Sequence, residues 1–427
     1  MRLLLAVLGA AASVCAANKG TAVSQINFHR DVTPILQKSC QGCHRPGEAA
    51  PFSLLTYAEA RPWAKAIRES VRLKRMPPWF ADPHVGKFAN DRSLAQSDID
   101  ILVKWADTGA AEGNPKDAPA PRQFHNGWNI PQPDLTLEMP KAYKVPAKGT
   151  IEYTYYVIPT GFTEDRWVRF AEIRPENRKV VHHVIAFIRE PGSKWLSKAT
   201  PGEPYVPVKG GSDEGPRQWL VGYAPGTIPD MLKSDQARLI KAGSDIVLEV
   251  HYTASGEEQS DLTKVGIVFA NEPPKERVVM LAATTKKFAI PPGADNHKVE
   301  AELTLHEDTT ISALTPHMHL RGKAFEFRVV YPSGETKELL RVPRYDFNWQ
   351  LSYEPVEPIT LPKGSRVQCT AWYDNSANNP HNPDPKSEVT YGDQSWEEMM
   401  FGFFNATLDP QKDPDVLTRP KKQKQGD

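Results

Sequence analysis

Charge of one sign is not in excess in this sequence: lysine plus arginine number 52, and aspartate plus glutamate 52, over 427 residues. No basic stripe interleaves with aromatics, so the electrostatic footprint of a nucleic-acid binder is missing. Cysteine is scarce. Of the four, Cys15 lies in the N-terminal apolar run, Cys40 and Cys43 form one motif and Cys369 stands alone, which excludes a disulfide framework. Beyond the start, no apolar run reaches the length of a membrane-spanning helix. Stability must therefore come from buried cores, and the length allows two or three of them.

The first residues, "MRLLLAVLGAAASVCAANKG", combine one early positive charge, a short apolar stretch and small residues at Ala16 and Ala17. That is the layout of an export signal over residues 1–17, and it predicts a periplasmic or secreted protein of bacterial-type export. Residues 27–113 carry helical periodicity. Val32, Ile35 and Leu36 share a face ahead of Cys40. Ser97 with Asp100 reads as a capping box for a helix that turns Ile99, Leu102, Val103 and Ala106 inward and stops at Gly109. A proline-rich linker follows at 114–134. The text then changes to short alternating runs such as "IEYTYYVI", "SDIVLEVHYT" and "AFEFRVVYP", broken by Pro-Pro, Pro-Gly and Ser-Gly turns, the pattern of antiparallel β-sandwiches. The "ANEPPKERV" stretch divides this region into sandwiches at 135–275 and 276–410, with a polar tail at 411–427.

"CQGCH", Cys40 to His44, has the spacing for covalent c-type haem: two thiols add to vinyl groups, and His44 becomes an axial ligand to the iron. Half of a zinc site or a redox CxxC would share the spacing, but the first wants a second cysteine pair and the second a βαβ setting. This segment resembles the small c-type cytochromes in "CQGCH", the helix before it, the "LVKWADTGA" helix after it and the intervening "RMPPW". The resemblance implies a small all-α cytochrome domain with Met76 as the second axial ligand, for which His84 competes.

The β region carries histidines in three clusters. In "TPHMHLRGK" an ideal strand puts Ala313, Thr315, His317 and His319 on one face, with Leu314, Pro316, Met318 and Leu320 on the other. In "IVLEVHYT" Ile246, Leu248, Val250 and Tyr252 take the core side and Val247, Glu249 and His251 the opposite one. An ideal strand over "VVHHVIAF" aims His182 and His183 in opposite directions, so joint ligation needs a bulge or a strand end. A single histidine is more often a hydrogen-bonded side chain than a ligand. Five in three clusters point to metal, with imidazole suiting copper, zinc, iron or nickel. A thioether would favour copper. "SWEEMMFGFFNATL" offers Met399, on a face with Phe401 and Phe403, and Met400, on a face with Gly402, Phe404 and Ala406, although core packing is the commoner use of either.

The order of these motifs, His-His in "VVHHVIAF", His-Tyr in "LEVHYT", His-x-His before "LRGK" and "EEMM" near the end, resembles that of the copper type II, ascorbate-dependent monooxygenases. This is the family of peptidylglycine α-hydroxylating monooxygenase and dopamine β-monooxygenase. The resemblance implies jelly-roll folding, so the expected fold class is multidomain: a small all-α c-type cytochrome domain followed by two all-β jelly-roll sandwiches. It also implies one copper on His182, His183 and His251 and a second, where dioxygen reacts, on His317, His319 and Met399. Amidating members place a substrate-binding arginine where this chain has Thr315, and polar substrate contacts where it has Phe401 and Phe403. A small or more apolar substrate is therefore expected. The cysteine following the family's ligand methionine is Met400 here, which leaves Cys369 without a partner.

Together these readings predict a secreted copper-dependent monooxygenase with His317, His319 and Met399 as catalytic residues. It would hold two copper ions and one covalent haem c, and hydroxylate a C–H bond of a small-molecule substrate with dioxygen. A periplasmic electron donor would supply electrons through the fused haem; nucleic acid and a transmembrane segment have no place in the scheme. The alternative is a periplasmic electron-transfer or copper-binding protein without oxygenase activity, against which the mixed His-His-Met set argues.

Overall fold

The computed structural model describes residues 25–48, 50–124, 127–207 and 218–419. The expected export signal and the end of the polar tail lie outside them. Strands make up 34% of the chain and helices 12%, which corrects the expected fold class: among the described residues no small all-α cytochrome domain precedes the sheets. Short helices at Thr33–Ser39, Tyr57–Ala60, Ala64–Arg72 and Gln96–Asp107 gather around Phe28, Leu36, Leu102 and Trp105. The chain between the last two helices leaves this cluster for the β-core. Phe80 is buried in the same cluster as Leu339, Leu340 and Tyr345, and the rings of Trp79 and Phe88 pack on Tyr353. The Asp82 N–H donates to the Arg341 carbonyl at 2.8 Å and the Ala89 N–H to the Glu354 carbonyl at 2.7 Å. The N-terminal segment is thus stitched into the sheets rather than folded as a unit beside them. The expected capping box also moves. The Gln96–Asp107 helix has Ala95 as its cap with no side-chain bond, whereas Thr56 and Glu59 make the reciprocal pair of bonds.

One eight-stranded sheet runs in the order Leu135–Glu138, Lys264–Phe269, Arg166–Arg174, Gln236–Ile240, Glu276–Thr284, Phe401–Leu408, Thr309–His317 and Ile359–Leu361. Its neighbours are antiparallel except at the middle, where Gln236 and Ala237 pair in parallel with Glu276 and Arg277. The expected division at 275/276 falls at this junction, inside a continuous sheet.

Each half of the long sheet is covered by a four-stranded one. Thr154–Pro159, Asp245–Tyr252, Val181–Arg189 and Gln218–Tyr223 cover the first half, enclosing Tyr156, Val184, Leu248, Val250, Val265 and Ile267. His297–Thr304, Arg366–Tyr373, Gly322–Val330 and Thr336–Val342 cover the second, enclosing Leu314, Phe325, Phe327, Cys369 and Phe404. Each fully buried large apolar side chain adds about 1.5–3 kcal/mol of transfer free energy, so these two clusters dominate the stability. Among the described residues, no helix is long and apolar enough to cross a membrane.

Candidate metal centre

The first histidine cluster is built by two adjacent strands. Along Asp245–Tyr252, Ile246, Leu248, Val250 and Tyr252 enter the main core. Val247 lies in a small apolar cluster with Phe187 and Trp195 on the other face, which Glu249 and His251 share by alternation. On the neighbouring strand Val181 pairs with Tyr252 but His183 pairs with His251, so one extra residue, His182, is accommodated by a bulge. This is the irregularity that joint ligation by adjacent histidines demands. The Nδ1 atoms of His182 and His183 are 3.1 Å apart, and one ligand nitrogen from each of His182, His183 and His251 lies within 4.8 Å of the others. Two imidazole nitrogens bound to one ion at about 2.0–2.1 Å are roughly 3–3.5 Å apart. His251 Nδ1 is buried without a hydrogen-bond partner, and the Tyr153 ring stacks on the His251 ring at 4.7 Å and 16°.

Strand alternation explains only half of the second cluster. Leu314 and Met318 do enter the core, but the Thr309–His317 strand ends at His317 and a turn closes from His319 to Gly322, whose N–H donates to the His319 carbonyl at 3.0 Å. There a carboxylate takes over: Glu398, fully buried, accepts the His319 N–H at 2.8 Å and the Arg321 N–H at 2.7 Å. The two rings stand 5.3 Å apart at 88°. His317 Nδ1 lies 3.0 Å from Gln350 Oε1, and His319 Nδ1 3.2 Å from the Glu397 carbonyl. Both acceptors require a proton on Nδ1, which leaves Nε2 of each ring as the free donor. Met399 is half-buried, as are Phe401 and Phe403, while Met400, Phe404 and Ala406 are buried. The Met399 carbonyl accepts from Tyr373 Oη at 2.8 Å, placing the methionine two residues from the carbonyl that holds His319. Thr315 donates its hydroxyl to Ser352 at 3.0 Å and offers no charge.

Burial is the first cause of the electrostatics; neighbouring imidazoles come second for the other four rings, while the Gln350 hydrogen bond partly offsets burial at His317. Burial holds His182 at about 4, His251 and His319 at about 3, and pushes His183 and His317 down as well. All five rings are neutral near pH 7 and present lone pairs rather than positive charge. Glu249 is raised by burial to about 7, even though Tyr155 Oη donates to it at 2.6 Å.

The two clusters approach one another. The Phe347 ring stacks on His182 at 4.9 Å and 22° and meets His319 edge-on at 5.9 Å and 79°. Phe347, Gln350 and Tyr345 escape sequence reasoning because they occupy text without periodicity, and Tyr153 because nothing sets it apart from its neighbours in the alternating run "IEYTYYVI". Glu398 carried a signal, since it directly precedes Met399. His381 is exposed and stays outside the cluster.

At the CxxCH motif, Cys40 and Cys43 are free thiols. Burial pushes Cys40 up to about 12 and Cys43 upward as well, which disfavours the thiolate that zinc binding or thiol exchange needs. His44 Nδ1 lies 3.3 Å from the Phe52 carbonyl, so Nε2 is again the free donor. A side chain at Gly42 would meet nothing within 4 Å, and Cys43 borders a cavity of about 1070 Å³. The donor set fits a covalently held haem, but the lining of that cavity includes neither Cys40 nor His44. Met76 is half-buried, and His84 is exposed with its N–H donated to Asp82 Oδ1 at 2.9 Å.

No protein-family model matches the sequence, and no curated protein matches it. Among solved structures the chain is similar to that of the infectious bursal disease virus Gx strain, at 10% identity over 70% of this chain and 77% of that one, with a TM-score of 0.18. It is similar to PNGF-II at 13% identity over 64% of this chain and 60% of that one, with a TM-score of 0.24. Such scores leave the likeness without weight for fold or function.

Proposed function

We propose that this protein is a copper-dependent monooxygenase. It inserts one oxygen atom of dioxygen into a C–H bond of a small, apolar organic substrate and reduces the other to water with two electrons and two protons. The observation that carries this reading is the first triad: three neutral imidazoles gathered across a bulge, His182 and His183 half-buried and His251 buried, with a nitrogen of His251 that finds no hydrogen-bond partner. Copper on His182, His183 and His251 would supply one-electron storage, and copper on His317, His319 and Met399 would supply dioxygen activation. The chain's own residues bind and orient. Gln350 and the Glu397 carbonyl fix the tautomer of His317 and His319, and Glu398 fixes the backbone between His319 and Arg321. Phe401 and Phe403, stacked at 5.0 Å and 9°, form an apolar wall 6.3 and 6.2 Å from His317. With Thr315 in place of a cation, that wall favours an apolar substrate over a carboxylate.

Haem on Cys40, Cys43 and His44 would deliver electrons one at a time from a periplasmic donor, consistent with an exported protein. The test is metal and haem content per purified chain, followed by oxygen uptake with a reductant and candidate apolar substrates. Two coppers and substrate-dependent uptake are expected. Metal without coupled uptake would make the protein a carrier, and failure to take up copper would end the proposal.

A further inference from the structure

We infer that the cleft between the CxxCH segment and the first half of the β region is a binding site for a free organic carboxylate with an apolar body, a site separate from the histidine sets. Its volume of about 1070 Å³ is room for a whole small molecule. Five cations stand on its walls: Lys38, Arg45, Arg92, Arg122 and Arg178. The three carboxylates that share the walls are already engaged. Glu48 is divided between Arg45 at 2.9 Å and Arg178 at 2.6 Å, so one acid answers two guanidiniums. Glu172 is taken by Arg174 at 3.1 Å and by the Asn129 backbone N–H at 2.5 Å, and Asp91 accepts the Ser93 N–H at 2.7 Å. Positive charge is left over inside the cleft.

Two buried groups on these walls want a partner. Tyr223 is only 9% exposed, yet among the described residues its hydroxyl meets no hydrogen-bond partner, and neither does Arg45 Nε. Leaving such groups unpaired costs free energy that an acceptor placed in the cleft would recover. Arg92 donates to the Gly226 carbonyl at 2.7 Å, but no described carboxylate pairs with it. Burial lowers its pKa by more than the nearby acidic groups restore. A carboxylate matches a guanidinium with two parallel hydrogen bonds. The apolar body follows from the rest of the lining. Ile228 and Met231, 60% and 55% exposed, border the same cleft as the buried Val221, and an inorganic anion would leave them uncovered. Haem propionates share the carboxylate chemistry. Because neither Cys40 nor His44 lines the cleft, the free acid is the occupant that the geometry favours.

The test is calorimetric titration of the full-length exported protein with octanoate, and separately with acetate and octan-1-ol. One octanoate per chain is expected. Acetate lacks the apolar body and octan-1-ol the charge, so each should bind at least about tenfold more weakly. Arg92→Gln should weaken octanoate about tenfold or more. Tyr223→Phe keeps the ring, removes only the hydroxyl and should cost about three- to tenfold; it decides the matter if the arginine variant fails to fold. A Cys40→Ala/Cys43→Ala chain, unable to attach haem, should bind octanoate as wild type does. Octanoate binding confined to that chain would assign the cleft to haem propionates and overturn the proposal. So would no binding, octan-1-ol as tight as octanoate, or an affinity that the folded variants leave unchanged. Copper and dioxygen take no part in the titration, so its failure leaves the monooxygenase reading standing, and failure of that reading leaves this site.

Discussion

Gly402→Ala probes the packing directly behind the second ligand set. Gly402 sits between Ala283 on one neighbouring strand and Pro316 on the other, so its backbone cannot shift alone. A Cβ there would overlap Cys369 Sγ and stand 3.0 Å from Phe327 Cε1 and 3.2 Å from Cys369 Cβ. Neither neighbour has room to retreat: Cys369 is 1% exposed, and Phe327 is fully buried. Overpacking costs about 1–3 kcal/mol, and confinement on both sides puts this case near the upper end, about 3. Cys369→Ala alone removes one buried sulfur and leaves a small void, worth about 1–2 kcal/mol. In the double variant the new methyl enters the space that the sulfur leaves. Stability should return to within about 1 kcal/mol of wild type, a coupling of about 3 kcal/mol. Urea unfolding of the four metal-free proteins measures this cycle. A double variant less stable than either single one would refute the packing argument. Copper titration adds a readout at the site: Phe401 pairs with His317, so Gly402→Ala should weaken uptake at the second set, and adding Cys369→Ala should restore it.

Further outcomes follow from the same geometry. His251→Ala should lower copper from two to one per chain while leaving the ion on the second set, as read by metal analysis; loss of both would mean that the sets are not independent. Gln350→Ala should weaken copper binding at His317 by about 10–100-fold, because the ring loses the acceptor that fixes its tautomer; unchanged affinity in a competition titration would remove that role. Phe80→Ala should cost about 3–5 kcal/mol in the unfolding of the β region, whereas a self-contained helical unit would leave the sheet transition unmoved. In metal-free protein, burial depresses His251 and His319 to about 3, below the unfolded value of about 6.5. The unfolded chain then binds more protons as pH falls. Stability should hold above about pH 6.5, drop by about 2 kcal/mol per ring at pH 5, and reach its full loss near pH 3. Equal unfolding midpoints at pH 7.5 and 5 would contradict this.

Local periodicity was legible and non-local pairing was not. Period-two alternation sorted Leu248 and Val250 from His251 because the pleat depends only on neighbours in sequence. For the same reason, joint ligation by the adjacent His182 and His183 called for a bulge or a strand end, and the strand has a bulge. His319 broke the pattern because its strand ends at His317, and strand ends are decided by partners far along the chain. The residues around 77–92 show no periodicity, so nothing in them revealed that Phe80 and Phe88 belong against Tyr353 and the second core. The capping signature was readable at Thr56 with Glu59 as well as at Ser97 with Asp100; only the first pair caps a helix. Phe347 and Gln350 come from "RYDFNWQLSY", whose position beside the histidine sets follows from tertiary packing alone.

The distance between the two ligand sets is set by the junction of the long sheet, since neither half contains both. Gln236 Nε2 donates to Glu276 Oε2 at 2.7 Å across the parallel contact. Beside it, Arg238 donates to Asp230 at 2.7 Å and to Asn405 at 3.2 Å, and Asn405 donates to Asp230 at 3.1 Å. Arg238 is 5% exposed and Asn405 3%, so opening the junction would leave a buried charge unpaired, at a cost of about 3–5 kcal/mol. Asn405 lies on the strand that carries Phe401 and Phe403, and the segment before that strand carries Met399 and Glu398. A rocking motion of one half against the other would have to break this network and the sheet pairing together. Closure of the two histidine sets onto each other is thereby disfavoured.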